Sequence, residues 1–359
     1  MTLTWARLPD FPWDTLAPAR ERAAAYPGGV VDLSVGTPVD PTPSVITDAL
    51  IAHANAPGYP TTVGTPELHA AIRGWIDRRL GGVSGAALLP TIGSKEAIAT
   101  LPWVLGLTGP VVIPEIAYPT YAVGAVAAGL EYIASDRPED IGHASAIWVN
   151  SPSNPTGRVL SAQRLAEIVT YARGLGIPVL SDECYVELGW SAQPISVLHP
   201  DVNGGDLTGI VAVHSLSKRS TMAGYRFGFL AGDPRIVGDL LERRKHLGEM
   251  VPGPVQHAAA AAYSDDAHVE LQRTRYARRR AQLHAAVESA GFTIEHSDAG
   301  LYLWITRDES CWDVVDWFAT RGILVTPGDF YGPRGAHHVR VALTATDTAV
   351  DSAVERLAV

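Results

Sequence analysis

Cysteine is scarce in this sequence: only Cys184 and Cys311 occur among its 359 residues. Their separation fits no metal-ligand pattern, and two cysteines cannot form a disulfide framework, so we expect no bound metal and a reducing cytoplasm. Basic residues are fewer than acidic ones, which leaves a net charge of −10. This charge argues against nucleic acid as the main partner, because phosphate binding needs a basic face.

Long apolar runs are also missing. The longest uncharged stretch, from Ala97 to Pro114, is interrupted by Pro102, Gly109 and Pro110. It predicts a buried helix and then a buried strand, not a membrane span. Residues 1–13 carry prolines and acids where a signal peptide would need an apolar segment, so we expect no association with a membrane.

What is present is an α/β pattern in a chain long enough for a large and a smaller domain, since 47% of the residues are hydrophobic. Segments of helical length such as Gln163 to Leu175 alternate with short apolar runs. This alternation predicts a mostly parallel central sheet covered by helices. The predicted strands are 111–113, 146–149, 178–180 and 209–213.

Polar side chains follow several of these strands. Asn150, Asp182, His214 and Ser215 come directly after predicted strands. Because ligands bind at the carboxyl ends of parallel strands, we expect these four side chains to converge on one crevice.

The pattern changes near residue 250. A helical segment from Val255 to Ser264 and a long helix from Asp265 to Ala290 precede two strands, predicted from Leu301 to Ile305 and from His338 to Leu343. We therefore predict an irregular N-terminal arm over 1–30 that packs with the small domain, a large domain over 31–250 and a small α+β domain over 251–359.

The segment Ser215-Leu216-Ser217-Lys218 is the strongest candidate for chemistry. A lysine at the mouth of a sheet can be desolvated, which lowers its pKa and makes it a Schiff-base former. The hydroxyls of Ser215 and Ser217, together with Arg226 eight residues after Lys218, could hold a phosphate beside it.

Two other segments precede it in the chain, namely Ser151-Pro152-Ser153-Asn154-Pro155-Thr156-Gly157 and Ser181-Asp182-Glu183-Cys184-Tyr185. In these motifs and their spacing the chain resembles the fold type I aminotransferases of class I and II, over essentially its whole length. The resemblance implies that fold, with pyridoxal 5'-phosphate as cofactor and Lys218 as its Schiff-base lysine.

The resemblance also implies roles for the residues around the cofactor ring. Asp182 would pair with the pyridine nitrogen, Asn154 and Tyr185 would hydrogen-bond the phenolate oxygen, and Tyr118 would stack on the ring. Asp182 and Tyr118 are thus predicted as catalytic residues beside Lys218, and Asn154 also as a substrate contact.

Further residues are implied at the two charged ends of the site. The cofactor phosphate would be bound by Ser94, Lys95, Ser215, Ser217 and Arg226, with Ser94 and Lys95 at a helix N-terminus that favours anions. Gly36 and Arg340 would receive the substrate carboxylate. Tyr59 would reach the phosphate of a neighbouring subunit, which implies a homodimer with shared sites.

The implied reaction is amino transfer between small amino acids and 2-oxo acids. Leu8 to Asp14, Asp32 to Pro41 and Lys218-Arg219-Ser220 are similar to segments of actinobacterial succinyldiaminopimelate transaminases. This likeness implies N-succinyl-LL-2,6-diaminopimelate and 2-oxoglutarate as substrates. A broader-specificity aminotransferase and a carbon–sulfur lyase remain open alternatives. A transcription regulator is disfavoured by the acidic charge and the short arm. Arg7, Arg20, Arg22 and Arg334 are all candidates to bind the distal end of the donor.

Overall fold

The computed structural model describes residues 8–9, 11–82 and 85–358. The helices of these residues are α1 (Ala17–Ala24), α2 (Ser44–Ala52), α3 (Pro66–Trp75), α4 (Ser94–Val104), α5 (Thr120–Ala127), α6 (Ala162–Leu175), α7 (Pro200–Asn203), α8 (Leu216–Arg219), α9 (Pro234–Leu247), α10 (Gly253–Ser264), α11 (Ala267–Ser289), α12 (Cys311–Ala319) and α13 (Asp347–Leu357). The strands are β1 (Val31–Asp32), β2 (Ala87–Thr91), β3 (Val111–Ile113), β4 (Tyr132–Ala134), β5 (Ala146–Asn150), β6 (Val179–Asp182), β7 (Ile210–Ser215), β8 (Gly228–Gly232), β9 (Thr293–His296), β10 (Tyr302–Thr306), β11 (Ile323–Leu324), β12 (Thr326–Pro327) and β13 (His338–Ala342).

A seven-stranded sheet forms the centre of the molecule, in the order β2-β8-β7-β6-β5-β3-β4. Its strands are parallel except at β8, which runs antiparallel to both neighbours. The predicted fold class, a mostly parallel sheet with helices, is confirmed.

The central strands are apolar except at their carboxyl ends, because both faces of the sheet are covered. Alternate residues of one strand enter different core clusters: Ile147 and Val149 pack in one, and Ala146 and Trp148 in the other. This arrangement follows from the two-residue repeat of a strand. It explains why the sequence shows continuous hydrophobic runs there instead of alternation.

Local capping sets the ends of the helix that was predicted from Gln163 to Leu175. The Ser161 hydroxyl accepts a hydrogen bond from the Arg164 amide at 3.1 Å, so the helix begins at Ala162. Gly176 ends it with φ of 67°, a left-handed conformation that glycine adopts without strain.

A second, antiparallel sheet has the order β12-β13-β10-β9, and β1 pairs with β11 in a separate parallel pair. Residues of the N-terminal segment, including Leu16 and Val31, share a core cluster with this C-terminal part. The boundaries at residues 30 and 250 stay a prediction.

The expectation of an irregular N-terminal arm is wrong for its described residues. Residues Pro12–Leu16 form a 3₁₀-helix and α1 follows directly. Pro12 and Pro18 stand in the first turns of these helices, where a missing N–H costs nothing and the fixed φ favours helix. Among the described residues, no helix combines the length and the hydrophobicity that crossing a bilayer requires.

Candidate active site

The polar ends of the central strands were expected to converge on one crevice, and two of the four residues do. Asp182 and Ser215 line a large cavity at the carboxyl ends of β6 and β7. Asn150 lies beneath it instead, where its amide donates to the Asp182 carbonyl at 3.0 Å and its oxygen accepts from the Asn154 amide at 2.8 Å. The prediction is wrong for His214. Successive side chains of a strand point to opposite faces of the sheet, so the His214 ring stacks on Phe229 and does not line the cavity.

The cavity has a volume of about 1120 Å³ and contains nearly all the side chains that the sequence singled out. Of the thirteen predicted site residues, twelve line it: Gly36, Ser94, Lys95, Tyr118, Asn154, Asp182, Tyr185, Ser215, Ser217, Lys218, Arg226 and Arg340. Tyr59 does not line the cavity of its own chain. It is 95% exposed, and its contact with the phosphate of a neighbouring subunit stays a prediction.

Lys218 lies in the short helix α8, which begins directly after β7. Its Nζ donates a hydrogen bond to the Gly36 carbonyl. Burial lowers the pKa of the amine, because the charged form loses its hydration. A larger fraction of the amine is therefore neutral and nucleophilic than in an exposed lysine.

Asp182 is a buried carboxylate at the end of β6. It accepts hydrogen bonds from the Tyr121 hydroxyl at 2.8 Å and the Cys184 amide at 3.1 Å. Burial raises its pKa, and within residues 11–82 and 85–358 no cationic side chain forms an ion pair with it. The site therefore provides a desolvated acceptor for a positively charged N–H group.

A helix N-terminus faces the same cavity. Gly93 precedes α4 with φ of 78°, and no side chain of the described residues caps the first amides of that helix. A Cβ on Gly93 would lie 2.5 Å from Arg226 Nη2, so only glycine lets the guanidinium pack against this turn. The uncapped amides and the adjacent cation form an anion site.

Arg340 stands at another point of the cavity wall and is 3% exposed. Its guanidinium donates to Asn154 Oδ1 at 2.8 Å and to the Ser34 carbonyl at 2.6 Å, and it lies 4.1 Å from the centre of the Tyr302 ring. In the described ranges it pairs with no carboxylate, and Nε has no hydrogen-bond partner. A buried unpaired guanidinium is suited to a carboxylate of a ligand.

Tyr302 and Tyr121 are among the aromatic residues of the site that the sequence reasoning missed. The Tyr302 hydroxyl lies 3.0 Å from that of Tyr185, and Tyr121 binds Asp182 directly. Burial raises the pKa of Tyr118 to about 12, so this phenol stays neutral. Tyr121 could have been found from its position three residues after Tyr118, whereas no local signal marks Tyr302.

Comparison with known proteins identifies this arrangement. The profile of the aminotransferases of class I and II matches residues 28–357. The chain belongs to this aminotransferase family. A probable aminotransferase of Mycobacterium tuberculosis is 58% identical over 98% of this chain and 86% of its own length. The 4-dedimethylamino-4-oxo-anhydrotetracycline transaminase of Streptomyces rimosus is 53% identical over 98% and 99%.

More distant relatives agree with this assignment. An LL-diaminopimelate aminotransferase of Dehalococcoides mccartyi is 32% identical over 92% of this chain and 90% of its own. A solved aminotransferase structure from Neisseria meningitidis superposes with a TM-score of 0.89 at 28% identity, covering 100% of this chain and 98% of the other. The protein is therefore a pyridoxal-phosphate-dependent aminotransferase that acts on small amino and 2-oxo acids.

The residues present fit this cofactor. The uncapped start of α4 with Arg226 suits its phosphate, and the unpaired carboxylate of Asp182 suits its protonated ring nitrogen. Lys218, with its lowered pKa, suits a carbonyl carbon. When bound, pyridoxal phosphate withdraws electrons from the substrate Cα.

Proposed function

We propose that this aminotransferase transfers the amino group between N-succinyl-LL-2,6-diaminopimelate and 2-oxoglutarate. One observation carries the proposal: the large cavity has a buried cation, Arg340, in its wall, and a second arginine, Arg20, also lines it. A long donor with carboxylates at both ends can use both cations. Of the other candidate arginines, Arg22 and Arg334 pair with Asp316 and Glu115 and do not line the cavity. Arg7 lies outside the described residues.

The proposed roles divide the site into three parts. Lys218 would hold the cofactor covalently and, once released by the substrate amine, would move the proton at the substrate Cα, while Asp182 would keep a proton on the ring nitrogen. Ser94, Lys95, Ser215, Ser217 and Arg226 hold the phosphate. Asn154 and Tyr185 bind the ring oxygen, and Tyr118 packs on the ring. Gly36 and Arg340 receive the α-carboxylate, with Asn154 also touching the substrate.

Arg20 is available for the distal carboxylate because its present partner is a surface one. It pairs with Asp32 at 3.0 Å, and its side chain is 53% exposed. An exposed pair of this kind is worth less than about 1 kcal/mol, so a substrate carboxylate can replace it at small cost.

The relatives support both this proposal and its nearest rival. The 32% identical relative is named for LL-diaminopimelate, a donor with the same carbon chain. The 53% identical relative is named for a tetracycline intermediate, a much larger and more apolar molecule. A broader-specificity aminotransferase is therefore the second candidate, with Leu8, Phe11 and Trp13 lining the cavity as apolar contacts.

The experiment compares kcat/KM for the succinylated donor with that for glutamate, alanine, aspartate and aromatic amino acids, each with its own keto acceptor. The proposal expects the succinylated donor to exceed alanine, aspartate and the aromatic amino acids by at least about tenfold, whereas glutamate, the amination product of 2-oxoglutarate, should also be a good donor. Equal or better activity with an aromatic or small aliphatic donor would favour the second candidate.

Arg20→Gln tests the distal contact directly. It should raise KM for the succinylated donor while leaving that for alanine unchanged, because alanine has no distal carboxylate. Arg22→Gln is the matched control: its side chain is also 53% exposed and paired with one aspartate, but it lies outside the cavity. An equal effect of both variants on both donors would remove Arg20 from this role.

A homodimer with shared sites, located in the cytoplasm, is also proposed. The 95% exposed Tyr59 supports the dimer, since a tyrosine at full exposure buries its ring only against another molecule. Cys184 and Cys311 are both free thiols, which suits a reducing compartment.

A further inference from the structure

A second, much smaller cavity lies next to the active site. Its volume is about 10 Å³, close to the smallest cavity volume that can hold one water molecule. Cys184 and Ser215 line both cavities, so these two residues form the wall between them.

Several polar atoms around this small cavity have no hydrogen-bond partner. They are buried side-chain atoms of residues that line it, and none is paired within residues 8–9, 11–82 and 85–358: Trp75 Nε1, Glu183 Oε2, His214 Nδ1 and Nε2, Arg219 Nη2 and Tyr263 Oη. Buried polar atoms are rarely left without partners, because each costs free energy comparable to a lost hydrogen bond. Empty cavities, in contrast, are lined by apolar groups.

The cluster contains both donors and acceptors for a water molecule. Glu183 uses its other oxygen to accept from the Val197 amide at 2.8 Å and the Ser181 hydroxyl at 3.0 Å, which leaves Oε2 facing His214 Nε2 at 3.5 Å. Burial lowers the pKa of His214 to about 3, so its ring is neutral and has one donor and one acceptor. Burial raises the pKa of Glu183 to about 7.

We propose that this cavity binds one ordered water molecule that hydrogen-bonds to Glu183, Arg219 and Tyr263. Glu183 follows Asp182 in the chain, and Arg219 follows Lys218. The water thereby joins the segment that carries the carboxylate to the segment that carries the lysine. Glu183 and Arg219 are therefore positioning residues. They act through Asp182 and Lys218, their neighbours in the chain, and through the water, which lies outside the active-site cavity.

The first test is a crystal structure of the cofactor-loaded enzyme at a resolution that shows water. Density for one water within hydrogen-bond distance of Glu183 Oε2 and Tyr263 Oη is expected. A cavity without density would overturn the proposal.

The second test uses thermal unfolding of the loaded enzyme with Tyr263→Phe, which removes one hydroxyl and keeps the ring. If the hydroxyl binds water, the variant loses a hydrogen bond and Tm falls by about 2 °C. If the cavity is dry, the variant removes an unpaired buried hydroxyl, and Tm stays the same or rises. Tyr171→Phe is the matched control, because its hydroxyl donates to the Ile141 carbonyl at 2.7 Å and its loss must lower Tm.

The positioning role has its own readout, the pH titration of the bound cofactor's visible absorbance. Tyr263→Phe should shift the apparent pKa of this titration, whereas Tyr171→Phe should leave it at the wild-type value. A Tyr263→Phe variant with lowered Tm and an unchanged titration would overturn the positioning role and leave only a structural water.

Discussion

Lys218 and Asp182 are perturbed in opposite directions by the same cause. Burial lowers the pKa of the lysine and raises that of the aspartate, so each becomes closer to neutral than in water. Neither has an oppositely charged side-chain partner in the described ranges. The two residues are therefore held ready for a ligand that supplies a carbonyl carbon and a protonated nitrogen.

Replacing Lys218 should remove the chemistry and keep the fold. We expect Lys218→Ala to lower kcat on the order of a thousandfold or more, because both the covalent bond and the proton transfer are lost. The measurement is turnover together with circular dichroism. Borohydride reduction of the wild type should label Lys218, and a label on another lysine would contradict the assignment.

Replacing Asp182 should affect the rate more than cofactor retention. Asp182→Asn keeps the shape but removes the charge, and a loss of about 3 kcal/mol lowers kcat about a hundredfold. The cofactor should stay bound, as its absorbance will show. Asp233→Asn, a buried aspartate at the start of α9, serves as control and should leave kcat unchanged. Near-normal turnover of Asp182→Asn would mean that another residue holds the nitrogen.

At the scale of elements, the turn between β2 and α4 forms the proposed phosphate site. Gly93 combines a positive φ with close approach to the Arg226 guanidinium. The carboxylate of Glu96, in the first turn of α4, accepts two hydrogen bonds from the buried Arg244, at 2.9 and 2.8 Å. Sequence alone marks this turn only as a glycine-serine pair.

Gly93→Ala should weaken cofactor binding. The added methyl forces Arg226 away and places alanine in a backbone region that costs about 1–3 kcal/mol, so we expect the cofactor Kd to rise about tenfold or more. Fluorescence titration of the apoprotein with pyridoxal phosphate measures it. Gly174→Ala in α6 has open space and should leave Kd unchanged while stabilising the fold slightly. Equal Kd values for wild type and Gly93→Ala would show that this turn does not hold the phosphate.

At the scale of the whole molecule, Arg279 joins three separate parts of the chain. From α11 it donates to both oxygens of Asp40, at 2.8 and 2.6 Å, and to Asp347 at the start of α13 at 2.7 Å. Burial raises the pKa of Asp40, but the hydrogen bonds from Arg279 and Gln272 outweigh it, so the net pKa is lowered. The ionised Asp40 therefore adds to the free energy of unfolding above about pH 4. This contribution is lost as the pH falls through the pKa of Asp40 in the folded protein.

Arg279→Met should lower the free energy of unfolding by about 3 kcal/mol at pH 7, because it leaves a partly buried carboxylate without its partner. The deficit should shrink as the pH falls from about 4 through the lowered folded pKa of Asp40, because the carboxylate becomes protonated over that range. Urea unfolding at pH 7 and pH 3.5 measures both. Arg278→Met is the control: its side chain is 58% exposed, and its ion pair with Asp347 should contribute less than about 1 kcal/mol. A pH-independent deficit would mean that packing, not charge, accounts for it.

The proposed dimer can be tested by mixing two inactive chains. If each site combines Lys218 of one chain with Tyr59 of the other, a mixed dimer of one Lys218→Ala chain and one Tyr59→Ala chain has one site with both changes and one site with neither. Activity should then return on mixing after mild dissociation, up to about a quarter of wild type for random pairing, since half the dimers carry one intact site of two. Sedimentation checks the assembly. Failure to restore activity in mixed dimers would place Tyr59 outside the shared site.

Much of the fold and most of the site could be predicted from local pattern. Continuous apolar runs predicted the parallel strands, although β5, β6 and β7 extend through Asn150, Asp182 and Ser215. The strands continue because the ladder pairs backbone groups regardless of side-chain polarity, as in the Asn150–Asp182 register. The N-terminal helices were missed because prolines mark both loops and helix starts.

The sequence by itself indicated the chemistry of this protein: a lysine, an aspartate and arginines in the order and spacing of the class I and II aminotransferases. Tertiary structure decided which of these side chains share a cavity. Asp182 faces the active site while the next residue, Glu183, lines the smaller cavity, and Arg20 lines the active site while Arg22 does not. Neighbouring residues differ in this way because strand and helix geometry points successive side chains in different directions, and only packing settles which direction leads to the site.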